Sequence, residues 1–418
     1  MSLTATAGRI QGLVCRACGA PTEIAATNVC EQCFGPLEVQ YDYEQVARRV
    51  SRQSIADGPL SIWRYRDLLP VDLDAGDEPV TLGEGMTPLV HARSLGRALG
   101  LRNLYLKNDT MNPTNSFKDR VVSVAVTWAR QQGVDTVGCA STGNLANSLA
   151  AYAARAGLRS VVIIPASIEP AKVAVTAAFR PTLVRVDGSY DEVNRLCSEL
   201  ADELGWAFCN INVRPFYAEG SKTLTFETAE QLGWRLPDEI VIPIGSGCQF
   251  VKHHKAVDEL RRVGLVDSSE PTPRLTGAQA LGCSPVVTAF EAGETRCTPV
   301  RPDTIARSIA IGNASDGSFV LRSARETGGT VAAADDEQIL AGIELLAQTE
   351  GILTEPAGGT VVAVLRKLAE AGRWRGDETV VAYITGHGLK ALDALEGRTT
   401  LDAPIAASLA SFREQYLS

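Results

Sequence analysis

The chain has 418 residues, 45% of them hydrophobic and 21% charged, with a formal net charge of −9 spread over interspersed acids and bases. This is globular composition, long enough for two or three domains with sizeable cores, and it excludes a disordered chain. The acidic balance offers no overall field to a nucleic acid, so no nucleic-acid partner is expected.

The N-terminal stretch "MSLTATAGRIQG" lacks a basic region followed by a long apolar run, so export is not expected. No run of about eighteen uncharged apolar residues is present to span a bilayer, and no membrane partner is expected. Ten cysteines in such a chain favour reduced thiols, a metal site and a cytoplasmic location over a disulfide framework.

The first motif is a pair of CxxC knuckles, "CRAC" and "CEQC", which place Cys15, Cys18, Cys30 and Cys33 with eleven residues between the pairs. Four soft sulfurs at that spacing favour one structural zinc, and a closed four-sulfur shell leaves no position for a substrate. The zinc is expected to be remote from any catalytic centre. Residues 11 to 40 hold one Arg and no Lys, too little positive charge for a nucleic-acid-binding ribbon. Residues 40 to about 75 are charged and helix-prone, and they end in the linker-like "LLPVDLDAGDEP".

Beyond residue 80, short β-branched runs alternate with amphipathic helical stretches. The runs "NLYLKND", "TVGCA", "RSVVIIP", "TLVRVDG", "EIVIPIG", "RLTGAQA" and "VVAYITG" are predicted strands. Strand and helix in alternation imply βαβ units and parallel sheets covered on both faces, an α/β fold. In such sheets ligands sit beyond the carboxyl ends of the strands, so the loops that follow are the ones to inspect.

Four loops stand out. "STGNLANS" (Ser141, Thr142, Gly143, Asn144) opens an Ala-rich helix whose free amides favour an anion, although a plain N-cap explains Ser141 or Asn144 equally well. "GSGCQF" places Gly245, Ser246 and Gly247 where a backbone can approach a phosphate, a weak signal by itself. "TLGEG" leads into "MTPL", and "TGHGLK" puts Thr385, His387 and Lys390 at another strand end, with a structural role favoured for His387. The adjacent His253 and His254 diverge by about 100° on a helix and do not suit a shared metal. Neither a GxSxG elbow, nor HExxH, nor a GxxxxGK[ST] loop occurs.

The remaining oddity is "NPTNSFKDR", residues 112 to 120, which surrounds Lys118 with Asn, Pro, Ser and an acid. Together with "LGEGMTPL", "ASTGNLANS", "RPFYAEGSKTLTFE", "PIGSG", "GAQALGCSP", "TIARSIAIGN", "EPAGG" and "ITGHGLK", this stretch resembles the fold-type II family of pyridoxal-phosphate enzymes, and within it the threonine synthases. The CxxC pairs resemble a zinc-ribbon-like extension found in part of that family.

The resemblance implies two open twisted sheets flanked by helices, with an N-terminal zinc-ribbon-like extension over residues 1–45. Residues 46–115 and 220–418 would form a large cofactor-binding domain and 116–219 a small one. It implies that Lys118 joins the aldehyde of pyridoxal 5'-phosphate and acts as the catalytic base. Asn144 would meet the ring oxygen, Gly245, Ser246 and Gly247 the cofactor phosphate, and Thr385 the ring nitrogen. Ser141, Thr142 and Gly143 would receive the substrate carboxylate.

The implied reaction converts O-phospho-L-homoserine and water to L-threonine and phosphate, in a homodimer. Arg214, Lys222 and Lys172 are candidates to hold the substrate phosphate. Where other threonine synthases carry an arginine two residues before the acid of "AEGSKT", this chain has Tyr217. That departure keeps open β-replacement on O-phosphoserine, as in a cysteate synthase.

Overall fold

The computed structural model describes residues 8–417 apart from 74, 75, 167, 169, 189, 397, 399 and 400. Its thirteen strands build three sheets. The first is antiparallel and three-stranded, in the order β2 (Pro21–Thr22), β1 (Ile10–Cys15), β3 (Leu37–Tyr41), with Leu13 opposite Val39. Its strand "LEVQY" buries alternate residues, as a sheet with one solvated face requires, while "IQGLVC" breaks the alternation at Gly12, where the register shifts.

The second sheet has six strands in the order β12-β11-β10-β13-β5-β4. Here β4 is Leu89–His91, β5 Asn103–Asn108, β10 Glu239–Pro243, β11 Arg274–Ala280, β12 Thr330–Ala334 and β13 Thr379–Ile384. All neighbours are parallel except β4, which runs antiparallel to β5 at the edge. The third sheet is parallel, in the order β8 (Thr182–Val186), β7 (Arg159–Pro165), β6 (Thr136–Ala140), β9 (Ala207–Phe208).

Helices cover both faces of the six-stranded sheet, which is why its strands are apolar on successive residues rather than alternate ones. Ile240 and Ile242 of β10 join one buried cluster with Leu275 and Tyr383, while Val241 joins the opposite one with Leu106 and Ala382. A further core runs from Leu13 and Val39 of the small antiparallel sheet through α1 (Lys118–Gln131) to Val137 and Val162 of the four-stranded sheet. Trp128 of α1 stacks on Phe216 there, ring centroids 4.0 Å apart. Helix α1 is buried from Asp119 to Ala129, so its lysine begins a helix that has no freedom to shift.

The predicted strands are all present, and so is helix over much of 43–68. The parallel strands direct the loops containing Ser141, Gly245 and Thr385 from their carboxyl ends, with α2 (Asn144–Ala156) following β6. Helices α3 (Arg214–Glu219) and α4 (Lys222–Gln231) meet at Gly220. A Cβ on Gly220 would lie 2.4 Å from the carbonyl of Arg120, so the glycine lets that corner close onto α1.

Candidate active site

The turn before Lys118 is laid down beside the end of β13. Asn115 takes a left-handed conformation (φ 61°), which asparagine tolerates, and its carbonyl accepts from the His387 amide at 3.0 Å. Ser116 bridges to Gly386, and the Phe117 amide donates to the Thr385 carbonyl at 2.9 Å. Lys118 therefore begins α1 next to Thr385.

The two residues after it fix the register. Asp119 accepts from the amide and the hydroxyl of Thr114, both at 2.6 Å, and from Ser148 of α2 at 2.7 Å. Arg120 is fully buried and forks onto Asp109 (2.6 and 2.9 Å) and Glu227 (2.5 and 2.8 Å), and Lys107 also pairs with Glu227 at 2.7 Å. Thus "SFKDR" is one device: a lysine held by an acid that ties the preceding turn and by an arginine that ties the helix to the sheet.

Lys118 itself has no carboxylate within ion-pair distance among the described residues. Its amine lies 4.5 Å from the Phe117 ring centroid and 5.9 Å from that of Tyr217. Desolvation lowers its pKa to about 8, against the opposing pull of Cys248 and Glu355 and with the help of Arg214. About a tenth of such amines are neutral at pH 7, against well under a thousandth for a solvated lysine.

The other loops converge from neighbouring strand ends. Asn144 donates from Nδ2 to both oxygens of Glu355 at 3.0 Å, and Ser308 donates to the same carboxylate at 3.2 Å. Burial raises the pKa of Glu355, whose backbone amide donates to the Gly386 carbonyl at 3.0 Å. Ser141, Thr142 and Gly143 remain accessible at the head of α2, the last of them exposed. The turn Gly245–Ser246–Gly247 opens α5 (Cys248–Arg262). Gly247 has φ 92°, and a Cβ there would lie 2.6 Å from Val320, so only glycine fits.

Asp316, at the start of α6 (Gly317–Glu326), donates its amide to the Ser246 carbonyl at 2.9 Å. Its carboxylate receives Arg214 on one oxygen and Arg16 on the other, the latter at 2.7 Å. These residues fit an aldehyde cofactor with a phosphate handle. A readily neutralised lysine faces a helix start whose amides suit an anion, and Ser116 Oγ and Gln249 Nε2 are buried without partners among the described residues.

Two expectations need correction. Lys222 begins α4, but its ammonium donates to Glu219 (2.6 Å), Glu259 (3.0 Å) and the Leu68 carbonyl (2.8 Å). All three of its donors are spent in a sealed cluster, so it has none for a substrate. The side chain of Lys172 lies outside the described residues. The cysteine module is also not remote from the loops, because Arg16, inside its first knuckle, touches Asp316.

The four sulfurs of Cys15, Cys18, Cys30 and Cys33 lie within 4.8 Å of one another, and the amides of Ala17 and Gln32 point at Cys15 and Cys30 sulfurs at 3.4 Å. That donor set fits a soft tetrahedral ion. His253 is buried on Thr225, with its pKa lowered to about 3 by desolvation, and His387 caps its own turn.

Sequence reasoning assigned no role to Glu355, Asp316 or Arg16. Glu355 stood in the noted motif "EPAGG", which was a findable signal; Asp316 and Arg16 carry none, because their partnership spans 300 residues.

The family model described as "Pyridoxal-phosphate dependent enzyme" matches residues 80–386. The threonine synthase of Methanocaldococcus jannaschii is 38% identical over 91% of this chain and 93% of its own length. That of Methanosarcina acetivorans is 39% identical over 94% and 97%. Among solved structures, processed threonine deaminase isoform 2 of Solanum lycopersicum has a TM-score of 0.61 at 20% identity, covering 75% of this chain and 84% of that one. Diaminopropionate ammonia lyase of Escherichia coli gives 0.63 at 17%, covering 76% and 88%. These two likenesses concern the fold alone. By the extent of the family match and of its curated relatives, the chain belongs to the pyridoxal-phosphate dependent enzyme family, among the threonine synthases.

Proposed function

We propose that this chain is a threonine synthase, a lyase that converts O-phospho-L-homoserine and water to L-threonine and phosphate. The observation that carries the reading is the desolvated Lys118 amine, without an ion-pair partner among the described residues, where three strand-end loops meet. Pyridoxal 5'-phosphate, when bound, supplies an electron sink for bonds at the substrate carbons nearest its nitrogen.

Lys118 would hold the cofactor until the substrate amine displaces it, then take the proton from Cα as a neutral base. The same amine would serve Cβ, so that phosphate departs from Cγ and water adds at Cβ. Its place at the start of a helix packed along its whole length keeps one amine in reach of both carbons.

Asn144 is assigned to the cofactor ring oxygen, Thr385 to the ring nitrogen, and Gly245, Ser246 and Gly247 to the cofactor phosphate. Ser141, Thr142 and Gly143 are assigned to the substrate carboxylate and Arg214 to the substrate phosphate. Cys15, Cys18, Cys30 and Cys33 would hold one structural zinc. No helix among the described residues is long and apolar enough to cross a membrane. A cytoplasmic homodimer is proposed from the family resemblance alone.

Incubation with O-phosphohomoserine alone tests the function. Release of phosphate and threonine in equal amounts is expected; release only from phosphoserine with an added nucleophile would replace this reading with β-replacement. Metal analysis of gently purified protein should find one zinc per chain.

A further inference from the structure

The cysteine module is locked along α5, the helix that the Gly245–Gly247 turn opens, and onto the end of α3. Glu38 of β3 pairs with Lys252 at 2.6 Å, the Tyr41 hydroxyl donates to Glu219 at 2.8 Å, and Lys255 donates to the Val39 carbonyl at 2.7 Å. Lys252 is 2% exposed, so this contact is sealed rather than a surface pairing.

At the other end of the module, Arg16 projects from between two metal-ligand cysteines. Its guanidinium lies 4.0 Å over the Phe319 ring and pairs through Nη1 with Asp316. Its Nη2 is buried without a partner among the described residues, as is Nε2 of Gln249, which is 9% exposed. Arg214 reaches the other Asp316 oxygen through Nη2, which also donates to Ser315 at 2.8 Å. Among the described residues, its Nε and Nη1 donate to no protein atom.

Two guanidinium groups thus converge on a single carboxylate, and that carboxylate's own amide holds the phosphate turn through Ser246. The cluster carries a net charge of plus one with Arg16 and zero without it. An otherwise acidic chain has here an excess of positive charge in a partly dry wall, where it acts more strongly than in water.

We propose that Arg16 is a positioning residue for phosphate-monoester recognition. It occupies one oxygen of Asp316, so that Arg214 keeps net positive charge for a dianion in the cleft beside the turn that takes the cofactor phosphate. The cysteine module is thereby part of the substrate-binding wall. The proposal rests on the phosphorylated substrate assigned above and adds a residue from a segment that otherwise has only a structural role.

The test is calorimetric titration of inorganic phosphate into the cofactor-loaded enzyme, with steady-state kinetics alongside. Arg16→Gln, which keeps a hydrogen bond and loses the charge, should weaken phosphate binding about tenfold and raise KM by a similar factor, with kcat within about twofold. Arg16→Lys, which keeps the charge, should stay within about threefold of the parent. Arg48→Met removes an exposed arginine whose one ion pair among the described residues is with Glu44 at 3.6 Å, and should change nothing.

Equal weakening by Lys and Gln, no weakening by Gln, or the same loss in Arg48→Met overturns the proposal. Absence of turnover with O-phosphohomoserine would remove the functional reading yet leave the phosphate titration decisive for Arg16. Turnover with an unchanged phosphate affinity in Arg16→Gln would remove the Arg16 proposal alone.

Discussion

Lys118 begins α1 and Lys222 begins α4, each just after a serine-containing turn; Lys222 is fully buried and Lys118 half-buried. Around Lys222 the chain supplies Glu219, Glu259 and a carbonyl, with the Tyr41 ring 4.3 Å away, so all three donors are engaged and the side chain is fixed in place. Around Lys118 it supplies aromatic rings, and the acid whose charge acts on its amine, Glu355, is engaged by Asn144 and Ser308. The same residue type becomes a rivet or a reagent according to whether its desolvation is compensated. The reagent needs a rigid frame of its own, and Arg120, two residues on, provides it with a fully paired buried charge.

The sharpest way to break this contrast is to remove the reagent. Lys118→Ala should cut turnover by at least about 10⁴-fold and eliminate the borohydride-fixed pyridoxyl label on peptides spanning 112–120. A label that persists elsewhere in the chain would move the catalytic assignment. Removing the frame comes next. Arg120→Met leaves Asp109 and Glu227 buried with one compensating cation between them, Lys107, and should cost about 3–5 kcal/mol of stability in denaturant titration. A loss under about 1 kcal/mol would mean the network is a passenger.

The rivet gives a smaller and more discriminating effect. Lys222→Met should cost about 3 kcal/mol, less than Arg120→Met, because Lys252 and Lys255 still face Glu219 at 2.5 and 3.0 Å. Folded Lys222→Met should keep its KM for the phosphorylated substrate within about twofold. A tenfold rise in KM without loss of stability would return Lys222 to the substrate site.

Much of the frame was legible from the chain. Strands such as "RSVVIIP" and "EIVIP" are β-branched and apolar through their centres, as burial on both faces demands, and the loops after them carried the site. The strand Thr330–Ala334, "TVAAA", went unseen because three alanines hold no strand preference; its place is set by pairing with β11. Lys222 was misjudged, and Lys107 passed over, for one reason. Whether a lysine is free depends on acids at 37 and 120 positions' remove, Glu259 and Glu227, and spacing along the chain does not encode those encounters. The same distance hid Arg16 and Asp316.

The mildest probe of the contrast is pH. Lys118 in the cofactor-free protein has its pKa lowered to about 8 from an ordinary 10.5, chiefly by burial. The unfolded chain therefore binds that proton more tightly than the native one, and stability carried by this group rises with pH between about 8 and 10.5. The neutral amine, the form that attacks the cofactor aldehyde, grows about tenfold between pH 7 and 9 and then levels. Reconstitution of cofactor-free enzyme, followed by absorbance under a fixed excess of pyridoxal 5'-phosphate, should accelerate by that factor with a midpoint near 8. A rate that keeps climbing past pH 10 would place the Lys118 amine in water, and the distinction between reagent and rivet would then rest on partners alone, not on desolvation.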